Sequence, residues 1–120
     1  MKSFKIGREI YQILTQNQNI GSIVFPLVAT PDTNFPFIIY RRINYNPENS
    51  NKDYNSSNVA MELQVVSDKY EEGVNLAEIV ADTLVSARTA LIDFIKIRNI
   101  EEEYSPDVFI QKIEIDIYLN

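Results

Sequence analysis

Ile6, Ile10, Ile13 and Leu14 fall at i, i+4, i+7 and i+8, one stripe of a 3.6-residue period, with Arg8, Glu9 and Gln12 opposite. This spacing predicts a short amphipathic helix with Ser3 as its N-cap. The polar run over 15–21 ends it, and Gly21 supplies the positive φ that a helix exit often needs. Residues 23–28 are apolar and β-branched, but Pro26 has no N–H to give a neighbour, so they predict an edge strand or an irregular extended piece. A turn-rich connector, ATPDTNFP, follows. Residues 37–45 predict a strong strand with apolar side chains on both faces, Phe37, Ile39 and Ile43 against Ile38 and Tyr40, until Arg41 and Arg42. That pattern implies burial on both sides at its start and solvent or a partner at its end.

The stretch NYNPENSNKDYNSS, residues 44–57, has no aliphatic residue. Beyond it Val59, Met61, Leu63 and Val65 point one way while Ala60, Glu62 and Gln64 point the other. The two strands predict a long antiparallel hairpin around a mobile loop. Residues 67–99 then predict the longest helix, with Ala77, Ala81, Leu84, Ala87, Leu91 and either Phe94 or Ile95 as its buried stripe. Asp68 with Glu71, or Asn75 with Glu78, fits a capping box, so two first turns compete. Lys96 and Arg98 suit the negative end of that helix. Ser105-Pro106-Asp107 predicts a type I turn. After it Ile113, Ile115, Ile117 and Leu119 alternate with Lys112, Glu114, Asp116 and Tyr118, a one-sided strand with which residues 100–104 pair.

The order is α-β-β-β-α-β-β. One-sided strands need cover, and two amphipathic helices are available to give it. The fold class expected is therefore α+β, an antiparallel β-sheet with two helices packed on one face, forming a single domain over residues 1–120.

Composition narrows the chemistry. The chain has 120 residues and neither cysteine nor histidine, which removes disulfides, thiolate catalysis, iron–sulfur ligation, the usual zinc sites and serine–histidine chemistry. Carboxylates could hold magnesium or calcium. However, Glu101, Glu102 and Glu103 alternate between faces if extended, and Glu71 and Glu72 read as first-turn helix acids. No catalytic residue, metal or cofactor is expected. A net charge of −6 disfavours a grip on nucleic acid. No apolar run approaches the roughly 18–20 residues of a membrane-spanning helix. Arg8 and Glu9 interrupt any apolar stretch near the start, so the expectation is a protein that stays in the cytoplasm where it is made.

What remains is recognition. Arg41 and Arg42 point to opposite faces and either pair with carboxylates or meet a neighbouring subunit. Low apolar content leaves the loop either disordered or ordered only on a partner. Tyr45 and Tyr54, with Tyr40 just before, are of a type enriched at interfaces. The candidate partner interface is Arg41, Arg42, Tyr45, Lys52, Asp53 and Tyr54.

The helix IGREIYQIL, the proline-punctuated PLVATPDTNFPFIIYRRI, the strand-to-helix join AMELQVVSDKYEEGVNLAEIVADTL with Tyr70 through Leu76-Ala77, and the closing strand FIQKIEIDIYL carry a resemblance over nearly the whole chain. In that order they resemble the tail-completion or tail-terminator-like proteins of long-tailed bacteriophages and prophages. The resemblance implies a non-enzymatic virion protein, made and assembled in the bacterial cytoplasm. It would join or cap the tail tube at the head-side connector as a ring through which DNA passes without specific binding. Its partners would be copies of itself, the tail tube and the connector, with no membrane, and the isolated chain could be monomeric. The Asn-rich loop departs from the family pattern, so its contacts are inferred from its residues alone. A small-molecule-binding regulatory module and a non-catalytic accessory subunit are the other classes compatible with the composition.

Overall fold

The computed structural model describes residues 2–30, 32–46 and 57–120, and orders them as α1 (Lys2–Thr15), β1 (Val24–Pro26), β2 (Phe37–Asn46), β3 (Asn58–Ser67), α2 (Tyr70–Val85), β4 (Ile92–Ser105) and β5 (Val108–Leu119). The strands form one sheet in the order β1-β2-β3-β5-β4, antiparallel throughout except that β1 runs parallel to β2. Both helices cover the same face, so the molecule is a two-layer α+β fold. One apolar core joins Ile6, Ile10 and Leu14 of α1 and Leu76, Val80 and Leu84 of α2 to the inward residues of the sheet. Each such side chain removed from water contributes roughly 1.5–3 kcal/mol before chain entropy is subtracted.

The stripe on α1 is the expected one, although Ser3 lies inside the helix and is not its cap. Asn17 Nδ2 donates to Thr83 Oγ1 at 2.9 Å and pins the end of α1 to α2, and Gly21 turns the chain away at φ 63°. β1 is an edge strand with Pro26 as its last residue, and the next N–H along the chain, that of Leu27, still donates to Tyr40 O of β2 at 2.8 Å.

β3 lies between β2 and β5 and is buried on both faces. Val59, Met61, Leu63 and Val65 face the helices, while Ala60 and Glu62 are covered from the other side by their cross-strand neighbours. The hairpin ladder continues to Asn44, Tyr45 and Asn46, paired with Ala60, Val59 and Asn58, so these three residues belong to β2 and not to the loop. β2 in turn buries one face, Ile38 and Tyr40, while Phe37 and Ile39 stay half-covered on the other.

The largest departure from expectation is at α2, which ends at Val85; residues 92–105 are strand. Leu91, Phe94 and Ile95 therefore do not belong to a helical stripe, and the stripe that does form is Gly73, Leu76, Val80 and Leu84, with Ala77 and Ala81 at its margin. Lys96 and Arg98 sit on β4, not at a helix end. The cause is visible in the ladder. Register shifts between Ile92 and Phe94 and between Ile97 and Asn99 leave Asp93 and Arg98 without opposed partners. The inward positions then become Ile92, Ile95, Ile97 and Ile100, spaced three, two and three, which imitates a helical period.

Local caps match the shorter helix. The Arg88 guanidinium donates to the Val85 and Ala87 carbonyls, and Thr89 Oγ1 accepts the N–H groups of Leu91 and Ile92. Neither expected capping box closes the other end. Lys69 is the N-cap residue without a side-chain cap bond, and buried Ser67 accepts from Lys69 N–H and donates to Glu72. At the β4–β5 turn Asp107 has φ 72°, which fits a type II turn and not the type I expected after Pro106.

Candidate assembly site

Arg41 lies on the sheet face away from the helices. Its Nη2 is 3.0 Å from Glu62 Oε2 on the neighbouring strand, and Gln64 Nε2 donates to the other carboxylate oxygen at 2.7 Å. The same face carries Arg98, 3.9 Å from Glu114 and 3.6 Å from Asp116, and Lys112, 3.3 Å from Glu103. These pairs form a compensated polar band across the open face of the sheet. Arg98 can reach two carboxylates because it is the extra residue of the bulge.

Arg42, next in sequence, points to the helix side, with its guanidinium carbon 5.2 Å from the centre of the Phe4 ring on α1. The two arginines thus diverge, as alternation requires. Tyr45 is half-buried against the core and serves as a packing residue of the hairpin base. Lys52, Asp53 and Tyr54 lie outside the described residues. Of the predicted interface, the structure places Arg41, Arg42 and Tyr45 on the hairpin stem, each engaged within the chain.

Residues the sequence reading passed over form a second feature near the far end of β4. Tyr70, in the first turn of α2, donates its hydroxyl to Glu102 Oε1, and Gln111 Nε2 donates to the same oxygen at 3.0 Å. Phe109 packs edge-on against Tyr70 with ring centres 5.5 Å apart and lies tilted at 48° against Tyr104 at 5.1 Å. The hydrogen bonds from Gln111 and then Tyr70 hold the Glu102 carboxyl below its ordinary range. The bond to Glu102 pushes the Tyr70 phenol up. The clue in the sequence is the placement of Tyr104 and Phe109 on either side of a two-residue turn, which puts them opposite each other in the hairpin.

The hollows between elements are surface grooves. One of about 570 Å³ has an apolar floor of Ile23, Pro36, Leu76 and Ile79, rimmed by Lys69 and Glu72. Another of about 580 Å³ lies between the ends of the two helices, bordered by Asn17, Asp82, Thr83 and Arg88. Among the described residues no cluster of three or more acidic side chains is placed to hold a metal ion. No described helix is long and apolar enough to cross a membrane.

Comparison with known proteins bears on this arrangement. No curated protein matches the chain. Among solved structures, a chain of one described as "Virion of native gene transfer agent (GTA) particle" superposes with a TM-score of 0.70 at 12% identity, over 92% of this chain and 90% of that one. At that identity the likeness is one of fold. A family profile described as "Tail completion protein gp17" matches residues 8–116, which takes in every element from the body of α1 to the greater part of β5. The chain therefore belongs to the tail completion protein gp17 family.

Proposed function

We propose that this chain is a non-enzymatic structural component of a phage-type tail, joining the tail tube to the head-side connector as a ring of copies around the DNA path. The observation that carries the reading is the family match over residues 8–116. The architecture supports it in physical terms. The sheet ends laterally in β1 on one side and β4 on the other, so each copy keeps two different edges free for neighbours. The β2–β3 stem ends with Asn46 opposite Asn58, and we assign contact with the tube or connector to the segment that joins them. A net charge of −6 suits a conduit that must not hold its cargo.

Deleting residues 47–55 tests the reading. Ser56 and Ser57 then remain to close the stem as a two-residue hairpin, so the fold should persist, as judged by an unchanged circular dichroism spectrum. In a particle-assembly assay the variant should leave heads and tails unjoined. Normal yield of joined particles from a folded variant would refute the role given to the hairpin tip.

A further inference from the structure

We infer that copies of this chain meet side by side, the β1 edge of one against the β4 edge of the next, through two apolar patches of opposite charge. The inference rests on the ring reading above and names its contact surfaces; the occupant of each patch is a second copy of this chain.

The first patch is at the β1 edge. Phe4, Leu27 and Val28 are 70, 67 and 73% exposed, and Phe4 and Leu27 border one hollow of about 260 Å³ together with Pro26 and Arg42. Single exposed apolar side chains are ordinary, but a cluster is a sign of a contact surface. The backbone adds a second sign. Leu27 has φ 64°, and Val28 N–H donates to Pro26 O at 2.7 Å across it, closing a tight three-residue turn. Glycine or asparagine would occupy that conformation at little cost; a leucine there keeps a strained backbone in order to hold an apolar side chain at the surface. The charge beside this patch is positive. Arg42 lies over Phe4, and exposed Arg8 stands one helical turn from Phe4 on α1.

The second patch is at the β4 edge. Ile100 and Tyr104 are 58 and 67% exposed, and Tyr70 stands beside them on α2. Two adjoining hollows of about 280 and 270 Å³ share Gln111 and run along the seam between β4 and α2. The charge here is negative, from exposed Glu78 and Asp82 beside Ile100 and from exposed Glu102 beside Tyr104.

The sheet order places the two patches on opposite lateral edges. Matching one to the other makes a head-to-tail contact that repeats from copy to copy until a ring closes. Like charge works against the alternative pairings: two β4 edges would set glutamates against glutamates, and two β1 edges would set arginines against arginines.

Charge exchange tests this assignment in full-length chains. Arg8→Glu with Arg42→Glu makes the first patch acidic, and Glu78→Arg with Asp82→Arg makes the second basic. Each double variant alone, checked for wild-type melting, should lower the yield of joined particles by about tenfold or more. Co-expression of the two should restore it, because an alternating ring sets every acidic patch against a basic one. Leu27→Gly, which removes the side chain and relieves the turn, should assemble less well than wild type while melting no lower. Rings that form normally from either charge variant, or folded variants that fail to rescue each other, would overturn the surface assignment and leave the ring reading intact. So would a first-patch variant that still makes rings but no longer binds the tube, since the patch would then face another protein. A wild-type chain present in joined particles as a single copy would overturn the ring reading itself, and this inference with it.

Discussion

Arg41 and Glu62 face each other across β2 and β3 at 3.0 Å, with the carboxylate side chain 10% exposed and the arginine 49%. The asymmetry has consequences. Glu62 also stands opposite Glu114 in the β3–β5 register, and the two carboxylates are offset from outside the pair, by Arg41 on β2 and by Arg98 on β4. Removing Arg41 leaves a nearly buried charge without its cation. Arg41→Ala should cost about 1–2 kcal/mol in urea denaturation, discounted for the exposure of the arginine. Adding Glu62→Gln to that variant should recover most of the loss. A single variant as stable as wild type would show that Gln64 alone satisfies the carboxylate.

The strained turn at Leu27 is testable apart from any assembly. Leu27→Ala and Leu27→Gly both remove an exposed side chain, but only glycine removes the left-handed strain. The glycine variant should be more stable than the alanine variant by about 1 kcal/mol. Equal melting of the two would mean that the turn relaxes in solution.

Tyr70 and Glu102 give the fold a pH signature at both ends of the scale. The Glu102 carboxyl is held below its ordinary 4.5, so its contribution is complete above that pH and is lost as pH falls through the lower, folded-state value. The Tyr70 phenol is held above its ordinary 10.0, so its contribution is complete below that pH and is lost as pH rises through the higher, folded-state value. The stability difference between wild type and Tyr70→Phe should therefore be level around neutrality and shrink toward both extremes. A difference that persists unchanged through the acid limb would contradict the hydrogen bond.

Much of the fold was legible along the chain because most elements carry one clean period. The Ile6–Ile10–Leu14 stripe, the alternation of Val59 to Val65 and that of Ile113 to Leu119 all read directly, and so did the edge position implied by Pro26. β4 was misread because its two register shifts break the two-residue period, and its pairing with β5 is a tertiary preference that no local pattern encodes. The caps of α2 were missed for a related reason. Ser67, at the end of β3, accepts the N–H of Lys69 and holds Glu72 where a cap from Asp68 or Asn75 was expected, and Arg88, not Lys96 or Arg98, reaches the carbonyls at the other end. At the candidate site, the divergence of Arg41 and Arg42 followed from strand alternation, whereas the partners each finds, Glu62 and Phe4, depended on how β2, β3 and α1 come together. The two lateral patches were invisible in sequence because each draws residues from elements distant along the chain.

The central claim is that many copies of this chain close the head-proximal end of a tail. Electron cryo-microscopy of joined particles carrying a short epitope insertion in residues 47–57, bound by its antibody fragment, tests it most directly. The account predicts a closed ring of labelled copies at the junction between tube and connector, with adjacent copies touching through the β1 and β4 edges. Label at the distal tip, a lone copy, or particles without the chain would contradict it.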